Sequence, residues 1–143
     1  MPKTRTALWL AALLALSPLA QADDVSADKL AKAIGVPELR VHVVPKRQPQ
    51  QVHQDYELNN AKGDTLFFVI QAPPAYYAEW KKVPGFEAVS GVGQEAFQRP
   101  GMDQFCARGA RYSACVTLMP MAPFPGGKKP SPEQIKAALA TLL

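Results

Sequence analysis

The chain has 143 residues, 16 Lys and Arg against 12 Asp and Glu, a net charge of +4, and 48% hydrophobic residues. That length suits one domain around one core, and the apolar content excludes a disordered chain. The basic residues are scattered as pairs such as Lys46-Arg47, Lys81-Lys82 and Lys128-Lys129, with no run long enough to track a phosphate backbone, so the basic excess marks a solvated surface rather than a nucleic-acid interface.

Lys3 and Arg5 precede an unbroken apolar run over residues 7–16, and Ala20-Gln21-Ala22 supplies an A-x-A site. Together these form a secretory signal peptide, residues 1–22, cleaved after Ala22. The run is shorter than the roughly 20 apolar residues of a spanning helix, and the first cysteine is Cys106, so no cysteine near the cleavage point can carry a lipid. The expected mature protein is one soluble domain, residues 23–143, in the periplasm or outside the cell.

Within that domain Ser26 caps a helix over residues 27–34, with Leu30 and Ile34 on its inner side and Gly35 as the stop. Residues 38–44 and 52–59 both alternate, separated by Pro45-Lys46-Arg47-Gln48-Pro49. A hairpin that sets Leu39 opposite Tyr56 and Val43 opposite Val52 buries one face, and it places Arg40 opposite Asp55 and His42 opposite His53 on the other. Asn60-Ala61-Lys62-Gly63 is a turn, and residues 66–70 form an apolar run of the kind found in a strand covered on both faces. Pro73-Pro74 opens a helix that carries Tyr76, Tyr77 and Trp80 and ends before Pro84-Gly85. After a glycine bend at Gly91-Val92-Gly93 come a strand over residues 95–99, a hairpin over 104–119 and a Pro/Gly-rich loop over 120–130. Ser131, Pro132 and Gln134 then start a closing helix, with Ile135, Ala138, Leu139 and Leu142 facing inward.

This order predicts a single two-layer α+β domain, an antiparallel sheet flanked by N- and C-terminal helices. The second hairpin predicts its own staple. Placing Phe105 opposite Val116 and Ala107 opposite Ala114 on the apolar face sets Cys106 opposite Cys115 on the other. In an exported chain two such cysteines form a disulfide, and their C-x8-C spacing is not that of a redox-active C-x-x-C pair.

Catalytic motifs are missing from the chain. Ser90 lies in Val89-Ser90-Gly91-Val92-Gly93, which is not the G-x-S-x-G of a nucleophile elbow, and the glycine pair lacks the third glycine of a dinucleotide loop. No cofactor is expected. His42 and His53, facing each other across the hairpin, with Met119 and Met121 as soft ligands by their chemistry alone, are an alternative copper or zinc site. An enzyme whose groups converge from distant loops is the other alternative. Tyr76, Tyr77 and Trp80 form the richest aromatic cluster, able to anchor a partner or simply to cover the sheet. Phe124, the one large apolar side chain of the proline-rich loop positioned to anchor a partner, is the leading candidate, with packing onto the core as its structural alternative.

Pro84-Gly85-Phe86, the segment Val89-Ser90-Gly91-Val92-Gly93-Gln94-Glu95-Ala96-Phe97, the turn Arg108-Gly109-Ala110-Arg111 and Ser131-Pro132-Glu133-Gln134 resemble small exported bacterial proteins and lipoproteins. These share a G-x-G-x-E-A-aromatic segment, a hairpin and a closing helix. The resemblance covers residues 84–143 and implies a sheet flanked by terminal helices, as in PsbP-like or helix-grip domains, without implying a catalytic residue. The chain lacks the lipobox of the lipoprotein members. The combined expectation is a non-enzymatic periplasmic binding or interaction module, such as an inhibitor or accessory factor whose partner is an envelope or periplasmic protein.

Overall fold

A computed structural model describes residues 25–143; the expected signal peptide and its cleavage point lie outside them. The described chain begins with helix α1 (Ala27–Ile34) and strands β1 (Arg40–Val44), β2 (Gln54–Asn59) and β3 (Thr65–Ala72). A single 3-10 turn at Pro74–Tyr76 leads into the short helix α2 (Tyr77–Trp80). Strands β4 (Glu87–Val89), β5 (Glu95–Arg99), β6 (Gln104–Arg108) and β7 (Ser113–Leu118) follow, and helix α3 (Pro132–Ala140) closes the described chain. The caps are those the sequence specifies: the Ser26 hydroxyl accepts from the Lys29 amide, Gly35 adopts the left-handed conformation, and Ser131 and Gln134 form a capping box.

All seven strands join one antiparallel sheet in the order β1-β2-β3-β7-β6-β5-β4. Two three- and four-strand meanders are thus zipped together at the centre by β3 and β7. Strand pairing sorts the side chains into two faces. One face carries the row Gln98, Phe105, Val116, Val69, Tyr56, Val43. There Val69 and Val116 are fully buried and pack with Leu30 and Ile34 of α1 and Ile135, Ala138 and Leu139 of α3 in the main core. The opposite face carries Ala88, Phe97, Cys106, Cys115, Ile70, Asp55 and Val44. Among the described residues only the segment around α2 lies over it, forming a smaller core of Tyr77, Phe97 and the two cysteines, with Ile70, Trp80 and Phe86 packed alongside.

The β6–β7 register and the Cys106–Cys115 disulfide are as predicted. The first hairpin forms, but with a different register. Val43 pairs with Tyr56 and His42 with Glu57, so each partner lies four positions further along β2 than the alternation alone suggests. The shift is even and preserves which face each residue occupies, which is why periodicity could not detect it. Val52 is left in the connection and is 57% exposed, and Val43, at the sheet edge beyond the helices, is 46% exposed. The core role expected of Val43 is therefore not supported. Strand β4, only three residues long between two glycine-containing bends, is too short to show an alternation in the sequence. Among the described residues no helix is long and apolar enough to cross a membrane.

Candidate binding face

The predicted site residues separate into three groups. Phe124 is 6% exposed and its ring lies 5.4 Å from that of Phe67. The proline-rich loop therefore closes the main core, and the expectation that Phe124 presents itself to a partner is corrected: ring-on-ring packing against a fully buried Phe67 outweighs keeping the ring in water. The proposed metal ligands are dispersed. His42 is exposed opposite Glu57, and His53 sits by the start of β2, 3.6 Å from Asp55. Met119 bonds to the backbone of Leu66 at the far end of β3, and Met121 is 98% exposed. The facing of His42 and His53 that motivated a copper or zinc site does not occur. Among the described residues no group of three or more His, Cys, Asp or Glu is placed to hold a metal ion.

The aromatic cluster stays together and divides by depth. Tyr77 is 3% exposed, its ring 5.3 Å from that of Phe97. Tyr76 and Trp80 are half-buried and meet edge to face at 5.5 Å. On the other side of Tyr76 lies the His53 ring, at 5.6 Å. His53, Tyr76 and Trp80 thus form a continuous line of partly exposed rings across the face that α1 and α3 do not cover. A cleft of about 550 Å³ opens beside them, lined by Arg47, Gln48, Gln50, Asp55 and Tyr76 among others.

What holds α2 in place is a set of polar contacts the sequence did not reveal. Arg99 is only 6% exposed, and its guanidinium donates to the carbonyls of Trp80 and Val83 and to Oε1 of Gln104 at 2.8 Å. It also lies 4.7 Å from the centre of the Phe97 ring. The Ser113 hydroxyl donates to the Pro74 carbonyl at 2.9 Å and fixes the other end of the segment. A buried cation bound by backbone carbonyls cannot be read from residue spacing, because it depends on where the α2 segment lands.

On the far side of α2 from the ring line is a second cavity, of about 320 Å³, between α2 and the β4–β5 hairpin. Lys81 Nζ reaches Glu95 at 2.5 Å, and Arg108, directly across from Glu95 in the sheet, approaches the same carboxylate at 3.6 Å. The glycine bend forms the rim. Gly93 is required there because a Cβ would lie 2.5 Å from the Arg108 carbonyl oxygen, which accepts from the Gln94 amide. The Tyr77 hydroxyl is buried without a hydrogen-bond partner, as is Nε of Arg108. Burial, with a smaller contribution from the Glu95 charge, pushes the Tyr77 hydroxyl up to about 12, so at neutral pH it is a proton-bearing donor and no base. The Glu95–Arg108 pairing rests on the β5–β6 register, which the Cys106 hairpin does not fix because each strand pair has its own alignment.

No family model, curated protein or solved structure matches the chain.

Proposed function

We propose that this protein is an exported, non-catalytic binding module of the cell envelope that recognises a protein partner through the His53–Tyr76–Trp80 face. The observation that carries this reading is the asymmetry of the sheet. Two helices and the proline-rich loop bury one face, while the other bears three contiguous, partly exposed rings beside a cleft of glutamines, Arg47 and Asp55. Rigid aromatic side chains with a polar rim are the side chains that anchor protein interfaces at little entropic cost. The disulfide supports an oxidising compartment, and the signal-peptide pattern of residues 1–22 and the kinship with small exported bacterial proteins belong to the same proposal.

The test is Tyr76→Ala. Because Tyr76 is half-buried at the surface, the variant should remain folded. Loss of an anchoring ring should weaken capture of a specific, stoichiometric partner from periplasmic extract by about 2 kcal/mol, roughly thirtyfold. A folded variant that captures the same partner as strongly as the parent chain rules this face out. For export, intact-mass analysis of protein recovered from the periplasm should give Asp23 as the N-terminus; retention of residues 1–22 there contradicts the address.

A further inference from the structure

We propose that the cavity between α2 and the β4–β5 hairpin is a binding site for a small carboxylate bearing a short apolar tail. The site is separate from the ring line and goes beyond the partner-binding reading. Its volume, about 320 Å³, falls at the lower end of ligand pockets, which run from about 300 to 1,000 Å³. Phe86, Val89 and Val92 supply apolar wall, and Ser90 and the glycine bend supply the rim.

Among the described residues Glu95 is the only acid lining the cavity, and it faces two cations, Lys81 at 2.5 Å and Arg108 at 3.6 Å. The acids nearest in sequence are already engaged elsewhere: Glu79 pairs with Lys82 at 2.8 Å and Glu87 accepts from Gln98 at 3.2 Å. One carboxylate is therefore shared between two cations. Of the buried donors without an acceptor among the described residues, the Tyr77 hydroxyl lines the cavity and Nε of Arg108 belongs to the guanidinium that approaches Glu95, while the third, Nε of Arg99, lies outside it. A buried donor without an acceptor is costly, and natural structures retain few of them. An arriving carboxylate answers these demands with one group: it takes Lys81, leaves Glu95 to Arg108, and offers an oxygen to Tyr77. Lysine suits that exchange, because its ammonium is a point charge on a flexible stem and Lys81 is only partly buried. A cationic ligand would meet Lys81 and Arg108 as like charges.

The experiment uses the full mature chain and three probes of one shape at equal ionic strength: sodium butyrate, butylammonium chloride and butanol. Nitrogen-labelled protein is titrated and followed by NMR. Butyrate should shift the amides of residues 90–95 and Lys81 saturably in the millimolar range, whereas butylammonium and butanol should not. Tyr77→Phe should fold with a melting temperature no lower than the parent's, since the hydroxyl it removes has no partner, and should bind butyrate about tenfold more weakly. Lys81→Met should abolish the response. Tyr76→Ala, on the other side of α2, should respond like the parent chain, so the outcome here is independent of the partner-binding reading. The proposal is overturned by absence of a saturable butyrate response, by an equal or stronger response to butylammonium or butanol, or by a Tyr77→Phe variant that binds butyrate as well as the parent; the last result would mean that the hydroxyl simply carries a buried water.

Discussion

At the scale of single residues, burial and not hydrophobicity decides what a substitution does. Val43 and Phe124 are both apolar, yet one is 46% exposed and the other 6%. Phe124→Ala should cost about 3–5 kcal/mol, the range for truncating a buried phenylalanine, whereas Val43→Asp should cost under about 1 kcal/mol because its charge stays in water. Urea unfolding of the two variants side by side checks the contrast, and a larger loss for Val43→Asp would contradict the edge position of β1. Tyr77 gives a pH signature. Its folded-state pKa, about 12, lies above the ordinary value of 10.0, so the folded state holds this proton after the unfolded chain has released it. The contribution is intact below pH about 10 and is lost as pH rises from there toward about 12. Alkaline unfolding should therefore be shallower for Tyr77→Phe than for the parent chain, and identical slopes would show that Tyr77 titrates normally.

Elements are held by devices of different kinds. Helices α1 and α3 depend on caps and an inward stripe, which are local, while the β6–β7 hairpin has its register set by two independent constraints. Its apolar pairs, Phe105 with Val116 and Ala107 with Ala114, and its disulfide demand the same alignment. Replacing Cys115 by Ser releases a loop with a sequence separation of 9 and should cost about 2–3 kcal/mol on the chain-entropy model, read as a drop in the urea midpoint. Because Cys106 and Cys115 are bonded and only 0% and 1% exposed, thiol labelling is done on protein unfolded in urea without reductant, and it should find no free sulfhydryl. Labelling of two thiols would remove the staple.

Across the whole molecule two cores share one sheet. The main core between the sheet and α1, α3 and the 120–130 loop is large, whereas the second, under α2, comprises a few aromatics, the disulfide and Arg99. Unequal cores imply unequal local stability. Arg99→Leu should loosen the smaller one selectively, since it frees the Trp80 and Val83 carbonyls that the guanidinium holds. Hydrogen exchange should accelerate in residues 77–86 while the amides of α1 and α3 keep their protection. Uniform acceleration would instead mean that the two cores open as one. The face that carries both candidate sites is thus also the less firmly held one, as recognition surfaces tend to be.

The features legible in the amino-acid order are those enforced by neighbours along the chain or across one tight turn. Ser26 and Gly35 bound α1, Ser131 and Gln134 start α3, and the apolar alternation around Arg108-Gly109-Ala110-Arg111 aligns Cys106 with Cys115, because each rests on a period or a cap that acts within a few residues. Long-range placement was not written locally. The β1–β2 register slipped by an even number, invisible to a period of two, since the connection through Pro45 and Pro49 is long enough to allow several alignments. Phe124 turned inward because Phe67 on β3 offered a ring to pack against, and Arg99 became a buried clamp because the α2 segment set two carbonyls above it. Which face of the sheet the helices cover, and therefore which aromatics remain available to a ligand, follows from burying the most apolar area at once, a condition on the whole chain and on no single segment.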